Sequence, residues 1–106
     1  MNKLMRLMIM FDLPVKTAKQ RKIATQFRKF LLKDGYYMLQ FSVYARICNG
    51  TDAVDMHKKR LNNNLPENGS IRLLVMTEKQ FETMEILVGK FKEEDTEFVC
   101  QQLSIF

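Results

Sequence analysis

Asp12 occupies the position in this chain that most invites chemistry. It closes a hydrophobic run, Leu4-Met5-Arg6-Leu7-Met8-Ile9-Met10-Phe11, and is followed at once by Leu13-Pro14. Such a run reads as a buried strand. Pro14 lacks an amide hydrogen and restrains the residue before it, so the strand stops there and leaves the carboxylate at its C-terminal tip. A basic segment follows directly, with Lys16, Lys19, Arg21, Lys22, Arg28 and Lys29. An acid at a strand tip beside positive charge suits metal-assisted work on a phosphate backbone. The plainer alternative is a turn, since Asp before Leu-Pro can bond its own backbone.

Charge distribution extends the same argument. The chain of 106 residues carries a formal charge of +5. Residues 1–60 hold thirteen Lys and Arg against four Asp and Glu, whereas residues 61–106 hold four against eight. That asymmetry fits a basic face for an anionic polymer and an acidic face for something else, although solvated surface explains charge equally well one residue at a time. Arg46 and the Lys58-Lys59-Arg60 run are further candidates for backbone contacts. The acidic group Glu93, Glu94, Asp95 and Glu97 is a candidate docking surface for a protein partner.

Several residues are better explained by packing. His57 is the only histidine and sits between Val54 and Leu61 on the inward stripe of an expected helix, which suits structure rather than catalysis. Cys48 and Cys100 match neither metal nor disulfide spacing and are expected to be buried thiols in a reducing compartment. The eight methionines fall mostly at core positions of expected strands and helices. Ser42 and Tyr44 could orient a water or a phosphate, or could be strand and core residues.

These groups need elements to position them, and one domain is the limit for this length. An apolar content of 46% excludes a disordered chain. No apolar run approaches membrane-spanning length, and the N-terminus lacks the cleavage site of a signal peptide, so a cytoplasmic location is expected. Strand one spans about residues 4–11. Thr17 caps a helix reaching Lys33, with Ile23, Phe27, Phe30 and Leu31 on one stripe, and Asp34-Gly35 ends it. Residues 36–47 are rich in strand formers and split into two strands around Gln40 to Ser42. Asn49-Gly50 turns the chain, and Thr51 caps a second helix to about Leu65, with Val54, Leu61 and Leu65 inward. After a loop from Pro66 to Gly69 come a strand over Ile71 to Met76, a helical turn over Thr77 to Phe81, and a strand over Met84 to Val88. An acidic stretch then leads to a closing strand, Phe98 to Phe106.

The order β-α-β-β-α-β predicts an α+β, ferredoxin-like sandwich with both helices on one face of an antiparallel sheet. The other sheet face is left bare, which predicts a two-fold homodimer with the sheets face to face. The extension over about 92–106 would then pair with the partner subunit and protect a sheet edge.

Four segments, in order, resemble the small CRISPR-associated adaptation protein, the dimeric partner of the CRISPR spacer integrase. They are Phe11-Asp12-Leu13-Pro14; Leu39-Gln40-Phe41-Ser42-Val43-Tyr44; Gly69-Ser70-Ile71-Arg72-Leu73-Leu74; and Met84-Glu85-Ile86-Leu87-Val88-Gly89. The likeness covers nearly the whole chain and is greatest to versions from single-effector (type II) systems. Phe11 stands where Tyr is commoner. The resemblance implies a dimer whose two Asp12 carboxylates face each other and hold Mg2+, with Mn2+ as an alternative. It further implies a metal-dependent endonuclease and a spacer-acquisition subunit that binds duplex prespacer DNA and bridges integrase dimers. RNA is a second substrate class. A free-standing metal-dependent ribonuclease of a toxin–antitoxin pair is the alternative reading.

Overall fold

A computed structural model of the chain describes residues 3–89. The expected C-terminal extension with its acidic group, the closing strand and Cys100 lie outside the described residues. Four strands form one antiparallel sheet in the order β2-β3-β1-β4. They are β1 (Leu4–Asp12), β2 (Tyr37–Gln40), β3 (Val43–Asn49) and β4 (Ser70–Thr77). Helices α1 (Ala18–Lys33) and α2 (Thr51–Asn62) follow β1 and β3, and a short α3 (Glu78–Glu82) follows β4. This is the α+β, ferredoxin-like arrangement that the sequence predicts.

The hydrophobic run becomes the central strand because it has neighbours on both edges. Met8 lies opposite Ala45 of β3 and Leu74 of β4. Alternation then divides its side chains between two faces. Leu7, Ile9 and Phe11 join Phe27 and Leu31 of α1, Tyr44 and Cys48 of β3, and Val54 and Leu61 of α2 in one buried cluster. Both helices therefore lie on the same face. Aromatic geometry reinforces the centre: Phe11 meets Phe27 edge-on at 5.2 Å and stacks on Tyr44 at 5.6 Å. Tyr44 is thus core.

Arg6, Met8 and Met10 point to the opposite face. Arg6 is buried there, although it is charged. Its Nε donates to Glu78 Oε2 at 2.9 Å, and Nη2 pairs with Glu78 Oε1. Nη1 donates to the Tyr37 hydroxyl, and the ring of Phe81 lies 3.9 Å from Cζ. The guanidinium so fastens α3 across the sheet.

Local signals set most boundaries. Thr17 caps α1 as expected: its hydroxyl accepts from Gln20 N at 3.1 Å, while Gln20 Oε1 accepts from Thr17 N at 3.0 Å. Thr77 and Gln80 repeat the arrangement at α3. Two expectations fail at α2. Gly50, with φ +90°, holds the cap position and Thr51 is already helical. The helix also stops at Asn62 and leaves Leu65 exposed, because Asn62-Asn63-Asn64 favours turn geometry over helix. The strand expected over Met84 to Val88 does not form. Leu87 and Val88 are 87% and 94% exposed, and among the described residues no neighbouring strand pairs with them.

Removing Glu78 takes from the buried Arg6 guanidinium the carboxylate that receives two of its N–H groups. Glu78→Ala should therefore lower unfolding stability by about 3 kcal/mol, read as a shift of the urea midpoint. An unmoved midpoint would show that Arg6 does not depend on Glu78.

Candidate nucleic-acid site at the tip of the central strand

Asp12 is the last residue of β1, and its register partner is Ser70 at the start of β4. It is exposed, and among the described residues no hydrogen bond or ion pair engages its carboxylate. Its placement depends on Gly69. A Cβ at that glycine, whose φ is +106°, would stand 2.8 Å from the Asp12 carbonyl oxygen and 2.6 Å from Leu13 Cδ2. Only a residue without a side chain lets the loop before β4 close against the Asp12-Leu13 backbone. On the other edge, Phe11 N donates to Ser42 O at 3.0 Å. The β2–β3 turn is so drawn to the same end of the sheet. Ser42 is a turn residue with φ +63°.

The cations of α1 divide into two groups. Lys19, Lys22 and Lys29 are exposed and recur at helical spacing on the side away from Ala24, Phe27 and Leu31. Lys33 continues their line, which then runs about 21 Å at 1.5 Å per residue. Lys33 is the member of this line that sequence reasoning misses; its spacing from Lys22 and Lys29 is the signal. Arg21 and Arg28, seven residues apart, flank the buried face on the side of the strand tip. Arg21 Nη1 donates to Val15 O and Lys16 O, both at 3.1 Å, and so holds the β1–α1 connection. Lys16 is exposed on that connection. The Arg28 guanidinium lies between two rings, 5.8 Å from Phe11 and 5.4 Å from Phe41. Phe41 itself is 80% exposed.

Arg46 has a different setting. It is half-buried, its Nε donates to Ile47 O at 3.1 Å, and its Nη1 donates to Asp34 O. The hub of that region is Asp34, the C-cap of α1, which sequence reasoning reads only as a helix end. Its buried carboxylate accepts from His57 Nδ1 at 3.1 Å and pairs with Arg60. His57 therefore carries its proton on Nδ1 and ties α2 to α1. Burial lowers the His57 pKa, and the Arg46 and Arg60 cations add to this, while the Asp34 hydrogen bond opposes it. Beside it, burial pushes up the Tyr36 hydroxyl and the Cys48 thiol. The Tyr36 hydroxyl has no partner among the described residues. Cys48 is the buried thiol that the sequence suggests.

A metal ion bound within one chain would need several ligands together. Among the described residues, no group of three or more His, Cys, Asp or Glu gathers in that way. Asp12 is a hard oxygen donor, which suits magnesium, an ion that keeps several waters. Among the described residues, one chain supplies a single such carboxylate at the strand tip.

A ferredoxin-like sheet with an acid at the tip of its central strand and a lysine line on its first helix defines a class: small α+β domains of ferredoxin-like topology with a basic first helix. The family model described as CRISPR associated protein Cas2 matches residues 5–84. Two similar proteins carry the name CRISPR-associated endoribonuclease Cas2. That of Acidovorax ebreus is 50% identical over 102 residues, covering 96% of this chain and all of the relative. That of Flavobacterium psychrophilum is 47% identical over 100 residues, covering 94% and 86%. The chain belongs to the Cas2 family.

Two outcomes are expected around Asp34. His57 binds a proton less readily folded than unfolded, so its contribution is complete above the unfolded value of about 6.5 and is lost as pH falls below it. Unfolding stability should therefore fall from pH 7 towards pH 5, and His57→Gln should flatten that fall; an unchanged slope would exclude His57 as its source. Tyr36→Phe removes an unpartnered hydroxyl, and its melting temperature should equal or exceed that of the parent.

Proposed function

We propose that this chain serves as a nucleic-acid-binding subunit of the CRISPR spacer-acquisition complex, acting as a homodimer that holds duplex prespacer DNA and bridges integrase dimers. Its lysine line and the cations beside the strand tip would neutralise phosphates without reading sequence, as a DNA-holding subunit requires. Lys19, Lys22 and Lys29 carry that role, with Lys16, Arg21 and Arg28 towards the tip. Arg46 has the weaker case, because it is half-buried and its guanidinium serves two backbone carbonyls, whereas Arg21, which also donates to two, is exposed. A cytoplasmic location agrees with this role. Among the described residues no helix is long and apolar enough to cross a membrane.

The same reading includes phosphodiester cleavage at paired Asp12. The name endoribonuclease borne by the relatives supports RNA cleavage. The observation that carries the assignment to Asp12 is its exposed carboxylate, held at the strand tip by Gly69. A sheet-to-sheet dimer would bring the Asp12 of a second copy into reach, and the pair would hold Mg2+ or Mn2+. When bound, such an ion supplies an acidified water and offsets charge on the scissile phosphate. Asp12 contributes the fixed negative charge that retains the ion, while the cations around it orient the backbone.

The test uses purified protein on labelled single-stranded RNA and duplex DNA, with and without magnesium or manganese. Asp12→Ala should reduce metal-dependent cleavage by roughly a hundredfold or more, as loss of several kcal/mol of charge stabilisation requires, and should leave duplex affinity unchanged. Cleavage that persists in the variant would remove Asp12 from the chemistry. The double substitution Lys22→Gln with Lys29→Gln should flatten the salt dependence of duplex binding by about 0.9 in log–log slope for each phosphate no longer neutralised. An unaltered slope would place the DNA elsewhere.

A further inference from the structure

Phe41 is hard to explain as packing. It sits in the tight turn between β2 and β3, where Gly, Asn or Asp would serve the backbone better. The left-handed residue of the turn is Ser42, so phenylalanine is not demanded by the geometry. The ring is 80% exposed and forgoes much of the roughly 2 kcal/mol that full burial of a Phe gives. Yet it is not loose decoration. The Arg28 guanidinium lies against it at 5.4 Å and is itself seated on Phe11 at 5.8 Å. Phe11 in turn stacks on Tyr44 and abuts Phe27. A column of rings and one cation thus runs from the core out to an open aromatic surface. The hydrogen bond from Phe11 N to Ser42 O fixes the turn at the end of the sheet that carries Asp12.

An exposed ring backed by a cation, at a basic edge, is the chemistry that binds unpaired bases. Stacking needs a flat face that solvent can leave, and a nearby cation offsets the phosphate that comes with the base. Bases within a duplex are already stacked and cannot use it. Resting on the nucleic-acid role proposed above, we infer that Phe41, held by Arg28, is a stacking subsite for one unpaired nucleobase beside the Asp12 tip. It gives this end of the protein a preference for single strands, or for the frayed end of a duplex, that the lysine line lacks. Phe41 and Arg28 are binding and positioning residues; neither touches the reacting phosphate.

The experiment is fluorescence anisotropy with the full chain, using a labelled 20-nucleotide single-stranded RNA and a labelled blunt 20-base-pair DNA. Phe41→Ala should weaken single-strand binding about tenfold, within the range that one base–aromatic stack contributes, and change duplex binding less than twofold. Arg28→Gln should weaken single-strand binding to a lesser degree. Phe41→Trp should retain the affinity. Because the chain has no tryptophan, quenching of the introduced indole by the single strand, and not by the duplex, gives a direct signal of stacking. Sedimentation of each variant accompanies the titrations. Unchanged single-strand affinity in Phe41→Ala overturns the subsite while leaving the nucleic-acid role intact. So does an equal loss on both probes. A shift of Phe41→Ala from dimer to monomer would assign the ring to a contact between copies and also overturn it. Failure of the parent protein to bind either probe would instead overturn the nucleic-acid role, and the subsite with it.

Discussion

Two constraints on β1 govern the rest of the structure. The strand has hydrogen-bonded neighbours on both edges and side chains buried on both faces. It must therefore be apolar nearly throughout and must sit in the middle of the sheet. Its end is set from two directions. Pro14 cannot continue the ladder, and Gly69 brings the incoming β4 loop hard against Asp12 and Leu13. The exposed carboxylate is then a consequence of where a buried strand runs out. Its backbone is held by the core, so its position is well defined although its side chain faces water.

Two buried charged groups complete the frame, and they do different things. Arg6 reaches Glu78, Tyr37 and Phe81, and fixes a short helix across the sheet face remote from α1 and α2. Asp34 gathers His57 and Arg60 around the end of α1 and so locks the two long helices in register. Arg46, drawn in by the Asp34 carbonyl, lies so close to Gly35 that a Cβ there would stand 2.6 Å from its guanidinium. Each of these buried charges has partners on elements distant in sequence and ties them together. The basic surface is thereby separated by role: some arginines build the protein, and the lysines among the described residues remain outside.

This division was only partly legible beforehand. Thr17 and Gln20, or Phe27 and Leu31, announce themselves because capping and helical periodicity are local properties of sequence. Arg46 and Lys29 look alike as letters. What distinguishes them is a carbonyl contributed from twelve residues away, and no local pattern encodes it. The same is true of Asp34, whose partners lie in α2. At Met84 to Val88 the composition suits a strand, yet a strand also needs an edge to pair with, and β-propensity says nothing about that. Phe41 is the mirror case: its exposure shows only when the turn is folded and Arg28 arrives beneath it.

By itself, the sequence determined the order of elements from β1 to α3, the apolar central strand, its termination at Pro14, the acid at its tip and the excess of positive charge in the first sixty residues. Each follows from periodicity, from backbone covalent geometry or from counting charge. Tertiary structure alone decided which cations face solvent and which are drawn inward, that His57 and Asp34 meet, and that Phe41 stands open beside Arg28 at the Asp12 end of the sheet. Those outcomes depend on groups distant in sequence being brought within hydrogen-bonding or stacking range, which happens only once the sheet and helices have packed.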